Sequence, residues 1–374
     1  MKSTSGVHYM ALDHVRAVAA LLVFCWHFIH GRDGFPVPFE GTPFWGPLVL
    51  FDEGHVGVAL FMTLSGYLFS KLLEGQQVNY RGFLWNRILR LFPLLAVVML
   101  VTMIVRAVEA GDARAAYWFL IKLPAGFVYP SWPNGGWSIT AELHFYLLLP
   151  LLLFAKRTSA GWLLAILLIA VVFRALYFTI TGEVQSLAYW TIVGRLDQFV
   201  AGILGFHFRR FVTHRHVVFF LVAVVFISIY FVFDSRGGFY LLQGYPSKSP
   251  IWIFLPLIEG LAFATFIAWY DTSFTTSEGV FSRAVALVGE YSYSIYLLHF
   301  FVVFAAARYI HANILDISNV YVAITVALLV FLSMIPVGYL SMTWIERPFL
   351  RFRKPYLHPP ASGPVRADQS HSGR

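Results

Sequence analysis

Long apolar stretches alternate with short polar breaks along the chain, from residue 11 to about residue 345. A membrane-spanning helix needs about 20 apolar residues in succession, and ten stretches approach that length. The pattern predicts ten spans, at roughly 11–30, 54–73, 88–108, 138–155, 161–180, 188–208, 216–233, 250–270, 284–307 and 320–345.

One further apolar stretch, YWFLIKLPAGFV at 117–128, is shorter and is interrupted by Pro and Gly. A stretch of this kind is typical of an interfacial or re-entrant piece rather than a span. We interpret it in that way. A crossing here would reverse the orientation of every later helix.

The composition agrees with a membrane protein: 59% of the residues are hydrophobic, 12% are charged, and the mean hydropathy is +0.70. Soluble globular chains are far more polar. The predicted fold class is an all-α polytopic membrane protein, a bundle of about ten transmembrane helices. One transmembrane domain at 11–352 would follow a cytoplasmic N-terminus at 1–10 and precede a polar, disordered tail at 353–374.

Basic residues test the orientation, because cytoplasmic loops carry an excess of Lys and Arg. With the N-terminus inside, the inner segments hold 17 of them and the outer segments hold 7. Both termini are therefore predicted to be cytoplasmic, in the inner membrane of a bacterium. The net charge of +8 follows from this bias, so we expect membrane lipids and no nucleic acid as partners. The first span has no cleavage pattern after it and is expected to be retained.

Ionisable groups inside spans cost roughly 2.5–3.5 kcal/mol each on insertion scales, so each is a functional hypothesis. Arg16 and His27 are eleven residues apart in the first span. That spacing puts them about 20° apart on one helix face and about 16–17 Å apart along its axis. The two residues therefore lie on the same face of the helix but at different depths in the membrane. The alternative is that Arg16 pairs with Asp13, three residues earlier, and that His27 bonds a neighbouring helix.

Six segments extend this observation across the chain. They are FMTLSGYLFS (61–70), FLWNRILRLFP (83–93), GGWSITAELHFYLLLP (135–150), GRLDQFVAGILGF (194–206), GEYSYSIYLLHF (289–300) and WIERPFLRF (344–352). In this order they resemble the acyltransferase 3 family, integral membrane O-acyltransferases, mostly bacterial, that modify cell-surface glycans and other acceptors. The resemblance runs from about 11 to 352, and its most specific element is Arg16, a ten-residue gap and His27.

The resemblance implies roles for individual residues. His27 would be catalytic and Arg16 would contribute to binding acyl-CoA, with acetyl-CoA or another acyl-CoA as donor substrate and no permanently bound cofactor. The other family positions fall on Ser65-Gly66-Tyr67, Arg87, Arg90, Glu142 and His299. Many relatives carry a second acidic residue and a Gln after the Glu, where this chain has Leu143 and His144. The departure would alter the acceptor pocket or supply a second base.

Acyl transfer to a hydroxyl needs a base, and His is suited because its pKa lies near the operating pH. We predict that His27 is this base and that Glu142 orients it or stabilises its imidazolium. A cytoplasmic donor would leave its phosphates near Arg16 and the pair Arg87 and Arg90, since the guanidinium fork matches phosphate oxygens.

Structural explanations compete with each of these roles. Arg87 and Arg90 would also serve as positive-inside anchors, and Glu142, His144 and His299 as buried helix contacts. Arg195 and Asp197 are interpreted as structural ion pairs with other helices. Ser65-Gly66 suits close helix packing better than an acyl-enzyme nucleophile, so direct transfer is favoured. No His-Glu-x-x-His spacing occurs, and no metal site is predicted.

For the acceptor side, we predict that His299, Trp137 and Tyr67 bind substrate. Aromatic rings of this region suit a sugar and equally suit the membrane interface. The predicted reaction is acetyl transfer from acetyl-CoA to a hydroxyl of a surface polysaccharide, lipopolysaccharide or lipid-linked glycan. Acylation of a small-molecule acceptor and a transporter or flippase without acyl-transfer chemistry are the alternatives.

Overall fold

A computed structural model describes residues 9–31, 34–39, 42–240 and 244–358 of the chain. Its helices are α1 (Met10–Ile29), α2 (Val49–Asp52), α3 (Val56–Leu72), α4 (Tyr80–Ala110), α5 (Arg114–Lys122), α6 (Trp137–Thr158), α7 (Ala160–Thr181), α8 (Gln185–Trp190), α9 (Ile192–His207), α10 (His216–Ser235), α11 (Leu255–Ser273), α12 (Val280–Leu298), α13 (Val303–Asn313), α14 (Val320–Ser341) and α15 (Arg347–Leu350). Short 3-10 turns lie at Gly46–Leu48, Leu123–Phe127, Arg209–Phe211, Pro250–Ile253 and His299–Phe301, and a π-helical turn lies at Met342–Glu346. Two short strands, β1 (Gln77–Val78) and β2 (Leu357–His358), pair in antiparallel fashion.

The predicted all-α membrane class is confirmed, and each of the ten predicted spans contains a helix. Within the described ranges, six helices are long and apolar enough to cross a membrane by themselves. Two bent pairs, with angles of 89° and 56°, raise this number to eight. Helix α9 has 16 residues, fewer than the roughly 17–25 of a typical span. A count of ten spans stays a prediction.

Helix boundaries differ from the sequence pattern where polar side chains cap a helix. Helix α4 begins at Tyr80 rather than near 88, because the Asn79 side chain accepts a hydrogen bond from the Gly82 amide at 3.1 Å. The predicted span 188–208 is divided into α8 and α9 at Thr191, which has extended backbone and caps α9 through the Gly194 amide. Apolar runs alone do not show these polar first turns.

The stretch 117–128 forms no long helix. It forms most of the nine-residue α5 and the turn that follows it, which together are too short for a span. The indole of Trp132 fixes the turn by donating a hydrogen bond to the Leu123 carbonyl at 2.9 Å. These short elements agree with a non-spanning piece, which stays a prediction.

The centre of the bundle is the contact between α3 and α9. A Cβ at Gly66 would lie 2.0 Å from the Phe199 carbonyl oxygen, and a Cβ at Gly202 would lie 2.0 Å from the Thr63 carbonyl oxygen. Each helix thus presents a glycine to the backbone of the other. This close approach confirms the prediction of close helix packing for Gly66.

Buried charges next to α9 are paired with other helices. Arg174 of α7, with an exposed fraction of 0%, donates to Asp197 at 2.6 Å and to the carbonyls of Ile253 at 2.8 Å and Gly194 at 3.0 Å. The ion pair of Asp197 with a neighbouring helix is therefore confirmed.

Arg195 lies in a second buried network. Its Nε donates to the Tyr189 carbonyl at 2.7 Å, and its Nη1 donates to Gln198 at 3.1 Å. Gln198 in turn donates to Glu259 of α11 at 2.6 Å, while Arg195 lies 4.0 Å from the same carboxylate. Both networks satisfy charges that would otherwise be costly inside a membrane.

The prediction that a disordered tail begins at residue 353 is wrong for residues 353–358. Tyr356 is buried with an exposed fraction of 1%, and Leu357 pairs with Val78 of β1. These residues are held by backbone hydrogen bonds, which polar composition does not reveal. Residues 359–374 and the first eight residues of the predicted N-terminal segment lie outside the described residues.

Candidate active site

A cavity of about 250 Å³ lies among α1, α3, α4, α6 and α12. We call it the arginine cavity, because four arginines line it: Arg16, Arg87, Arg90 and Arg353. The first three are those that the sequence predicted to act together. Sequence reasoning missed Arg353, which was assigned to the tail although it lies one residue beyond the WIERPFLRF motif.

Two of the arginines have carboxylate partners. Arg16 forms an ion pair with Asp13 one turn earlier, so this alternative from the sequence is confirmed, and Arg16 still lines the cavity. Arg90 pairs with the fully buried Glu346, which also accepts a hydrogen bond from the Ser294 hydroxyl. Glu346 belongs to the WIERPFLRF motif, and its partner was not predicted.

Arg87 is held by aromatic rings rather than by a carboxylate. Its guanidinium carbon lies 5.3 Å from the centroid of Phe69 and 5.5 Å from that of Phe83. Its Nε is buried and has no hydrogen-bond partner among the described residues. The Arg87 side chain also hydrogen-bonds Tyr146. Contacts with aromatic faces hold a guanidinium group without using its N–H donors.

Glu142 also lines the cavity, but its neighbours are not the predicted ones. It accepts a hydrogen bond from the Tyr146 hydroxyl, and the charged groups that act on it are Arg87, Arg16 and Arg90. In the structure α6 brings Glu142 against the arginines, and its predicted action on His27 stays a prediction. The spacing of residues within one helix does not determine at which height along it a residue of another helix makes contact.

His27 contacts another histidine instead. Its Nδ1 lies 2.8 Å from the Val23 carbonyl oxygen and 3.2 Å from Nε2 of His299. In turn, His299 Nδ1 lies 2.7 Å from the Tyr296 carbonyl oxygen. Because carbonyl oxygens only accept, both Nδ1 atoms are assigned protons from this network, and His299 Nε2 accepts from His27. The lone pair of neutral His27 is then on Nε2.

Tyr296 connects the histidine pair to the arginine cavity. Its side chain lines the cavity, and its carbonyl oxygen holds His299. Phe300 packs against His27 with ring centroids 4.5 Å apart, so the pair lies among aromatic rings. Tyr296 thus links the His27–His299 pair to the cavity that the four arginines line.

The other residues predicted to bind substrate do not line the arginine cavity. Tyr67 is fully buried and donates its hydroxyl proton to Asp271 at 2.7 Å. Trp137 packs against Trp190, with ring centroids 4.7 Å apart, and lies under the Arg195 guanidinium. His144 contacts the Phe127 carbonyl oxygen at 2.8 Å, away from the cavity.

Several polar residues that line the cavity were not predicted as site residues: Ser65, Ser138, Tyr146, Glu290, Tyr293 and Arg353. Across the part of the chain that the structure describes, no three His, Cys, Asp or Glu side chains are arranged to hold a metal ion.

A helical membrane bundle encloses a cavity lined by four arginines, and a histidine pair lies next to it. Comparison with known proteins places the chain among the acyltransferases. The chain belongs to the acyltransferase 3 family, described as an acyltransferase domain, which matches residues 9–343.

Among curated proteins, the chain is similar to the O-acetyltransferase OatA of Staphylococcus aureus, in strains NCTC 8325 / PS 47 and COL. The identity is 25% over 343 residues, covering 79% of this chain and 52% of each relative. The chain thus spans about half the length of the curated relatives it matches. No solved structure matches it.

Proposed function

We propose that the protein is an acyl-CoA-dependent O-acyltransferase that transfers an acetyl group to a hydroxyl of a surface polysaccharide, lipopolysaccharide or lipid-linked glycan. The observation that carries the proposal is the arginine cavity with the His27–His299 pair next to it. The name O-acetyltransferase of the relatives supports acetyl transfer to oxygen.

The donor binds with its phosphates at Arg16, Arg87 and Arg90. Guanidinium groups offer five N–H donors each, so Arg16 and Arg90 keep donors for phosphate oxygens beside their carboxylate partners. The pantetheine arm follows the apolar lining between Phe61 and Tyr296 towards His27. The arm is narrow and mostly uncharged, as this lining requires.

His27 acts as the general base. Its Nε2 takes the proton of the acceptor hydroxyl while the oxygen attacks the thioester carbonyl carbon. The tetrahedral intermediate then collapses, the carbon–sulfur bond breaks, and the proton on Nε2 passes to the thiolate of CoA. During this step His299 Nε2 accepts from the Nδ1 proton of the His27 imidazolium and stabilises its charge. Transfer is direct, and Ser65 forms no ester.

The orientation follows from the charges. The arginine end of the bundle faces the cytoplasm of a bacterial cell, in the inner membrane, with both termini on that side. Donor therefore enters from the cytoplasm, and His27 lies towards the outer leaflet, where a glycan acceptor is displayed. Membrane lipids surround the exposed apolar faces of the bundle.

The test is transfer of labelled acetyl groups by the purified protein. Labelled acetyl-CoA is incubated with cell-envelope glycans and with small hydroxylated acceptors, and acceptor labelling is followed by mass spectrometry. His27→Ala should lower the transfer rate about 10²- to 10⁴-fold, the usual contribution of a general base. His144→Ala, a histidine away from the cavity, should retain it.

Two results would contradict the proposal. Labelling that survives His27→Ala would exclude His27 as the base. Absence of transfer to every acceptor by the wild-type protein would argue against an acetyltransferase. Vesicles that move a glycan lipid without modifying it would then identify a flippase.

A further inference from the structure

The residues after the last helix fold back against the beginning of α4. We call Arg351–His358 the C-terminal strap. The Asn86 side chain holds it at two points, because Nδ2 donates to the Lys354 carbonyl at 2.8 Å and Oδ1 accepts from the Lys354 amide at 2.9 Å. The Asn79 amide donates to the Tyr356 carbonyl at 2.8 Å. The Asn86 side chain of α4 thus hydrogen-bonds the amide and the carbonyl of one strap residue, as a neighbouring β-strand would.

The strap is packed as part of the fold. Asn86 has an exposed fraction of 0%, and Tyr356 packs against Phe83 with ring centroids 5.6 Å apart. A Cβ at Gly82 would lie 3.2 Å from the Cβ of Tyr356, a tight contact that would push the strap away from α4 by a few tenths of an ångström. The pairing of Val78 with Leu357 closes the arrangement.

The strap contributes the Arg353 side chain to the cavity wall. This side chain lines the cavity beside Arg87 and Arg90. Burial, together with the positive charges of Arg87 and Arg90, lowers the pKa of Arg353 to about 10. Guanidinium groups placed this close repel one another unless an anion lies between them. The carboxylate of Glu346 is shared by Arg90 and Ser294, and the four arginines outnumber the three carboxylates that line the cavity, Asp13, Glu142 and Glu290, so an anionic ligand suits the site.

We propose that the C-terminal strap is part of the acyl-donor site. In this arrangement Arg353 binds a phosphate group of acyl-CoA together with Arg87, and Asn86 is the positioning residue that holds the strap. The inference rests on the proposed function, because the anion it assigns is the phosphate portion of the donor. The domain that binds donor therefore extends through residue 358 rather than ending at 352.

The first experiment compares CoA with pantetheine, which has the same arm and lacks the nucleotide phosphates. Binding of each to the full-length protein is measured by calorimetry in detergent. Arg353→Ala should weaken CoA binding about 10- to 100-fold, as expected for a lost charge-assisted contact, and leave pantetheine binding unchanged. Arg353→Lys keeps the positive charge without the paired N–H donors of a guanidinium group, so it should recover part of the lost CoA affinity.

Arg351→Ala is the matched control. Arg351 lies in the same strap, is exposed, and has its guanidinium carbon 4.9 Å from the Phe352 ring centroid, outside the cavity. Its removal should change CoA affinity less than about twofold, the range of an ordinary surface substitution. An equal loss for both variants would show a general electrostatic effect and would overturn the assignment of Arg353.

Asn86→Ala tests the positioning role. It should weaken CoA binding as Arg353→Ala does, again sparing pantetheine, and the double variant should be no weaker than either single one. Equal losses for CoA and pantetheine would mean that Asn86 only supports the fold.

The remaining outcomes separate this inference from the proposed function. If the wild-type protein binds CoA and Arg353→Ala binds it equally well, the strap proposal is wrong and the donor assignment stands. If the wild-type protein binds neither CoA nor pantetheine, the proposed function fails, and the inference fails with it.

Discussion

Replacement of His299 by Phe isolates the contribution of the histidine pair. His299 is buried, with an exposed fraction of 1%, and its ring packs against Phe24 and Phe300 with centroids 6.0 and 4.4 Å away. A phenyl ring therefore fits the same space. The change removes one acceptor for the Nδ1 proton of His27 and leaves the Val23 carbonyl at 2.8 Å.

The expected loss of rate follows from the strength of the hydrogen bond between His27 Nδ1 and His299 Nε2. A hydrogen bond to a neutral group contributes about 0.5–1.5 kcal/mol and one to a charged group about 1.5–3 kcal/mol. The contact between the histidines, at 3.2 Å, strengthens only when His27 becomes an imidazolium, that is, in the transition state. The difference is about 1–1.5 kcal/mol, so kcat should fall about tenfold. The KM for acetyl-CoA should not change, because the arginines are untouched.

The assay is the rate of labelled acetyl transfer at saturating donor, measured over a range of acceptor concentrations. His27→Ala gives the lower reference, and His144→Phe is the control for an added phenyl ring elsewhere. A loss as large as that of His27→Ala would show that His299 is itself the base. A higher KM for acceptor with unchanged kcat would show that His299 binds substrate, as the sequence predicted.

Three other changes test the fold around the site, each followed by thermal unfolding in detergent. Gly66→Ala places a methyl group against a carbonyl of α9 and should cost about 3 kcal/mol or more; a stable variant would contradict the packing of α3 on α9. Arg174→Met leaves Asp197 buried without its ion pair and should cost about 3–5 kcal/mol, with recovery when Asp197→Leu is added. Tyr67→Phe removes a hydrogen bond to Asp271 and should cost about 1–3 kcal/mol with unchanged KM for both substrates; a higher KM for acceptor would restore its predicted role.

The sequence predicted what depends on one helix at a time. Apolar runs located the helices, and Arg87 and Arg90 were predicted to act with Arg16, beside which the structure places them in one cavity. The sequence did not predict which residues of different helices contact each other. His27 and His299 are 272 positions apart, and an apolar helix in lipid has no polar face to indicate which side meets a neighbour.

The strap was missed for a different reason. Arg353 lies in a polar segment, and polar composition at the end of a chain usually indicates a solvated tail. The contacts that order it are made by its backbone with Asn86 and β1, and such contacts leave no hydropathy signal. The pairing of Glu346 with Arg90 was missed in the same way, because each residue taken alone resembles an ordinary charged residue at a membrane surface.

The walls of the arginine cavity come from nearly opposite ends of the chain, with Tyr9 on one side and Arg353 on the other. The cavity is therefore complete only when α1, α4 and residues 351–358 have packed together. A bundle in which the last segment is not yet docked contains Arg16 and His27 but lacks Arg353 in the cavity wall. A change in the C-terminal strap is thus expected to alter a wall that α1 also forms, although the two segments are far apart in sequence.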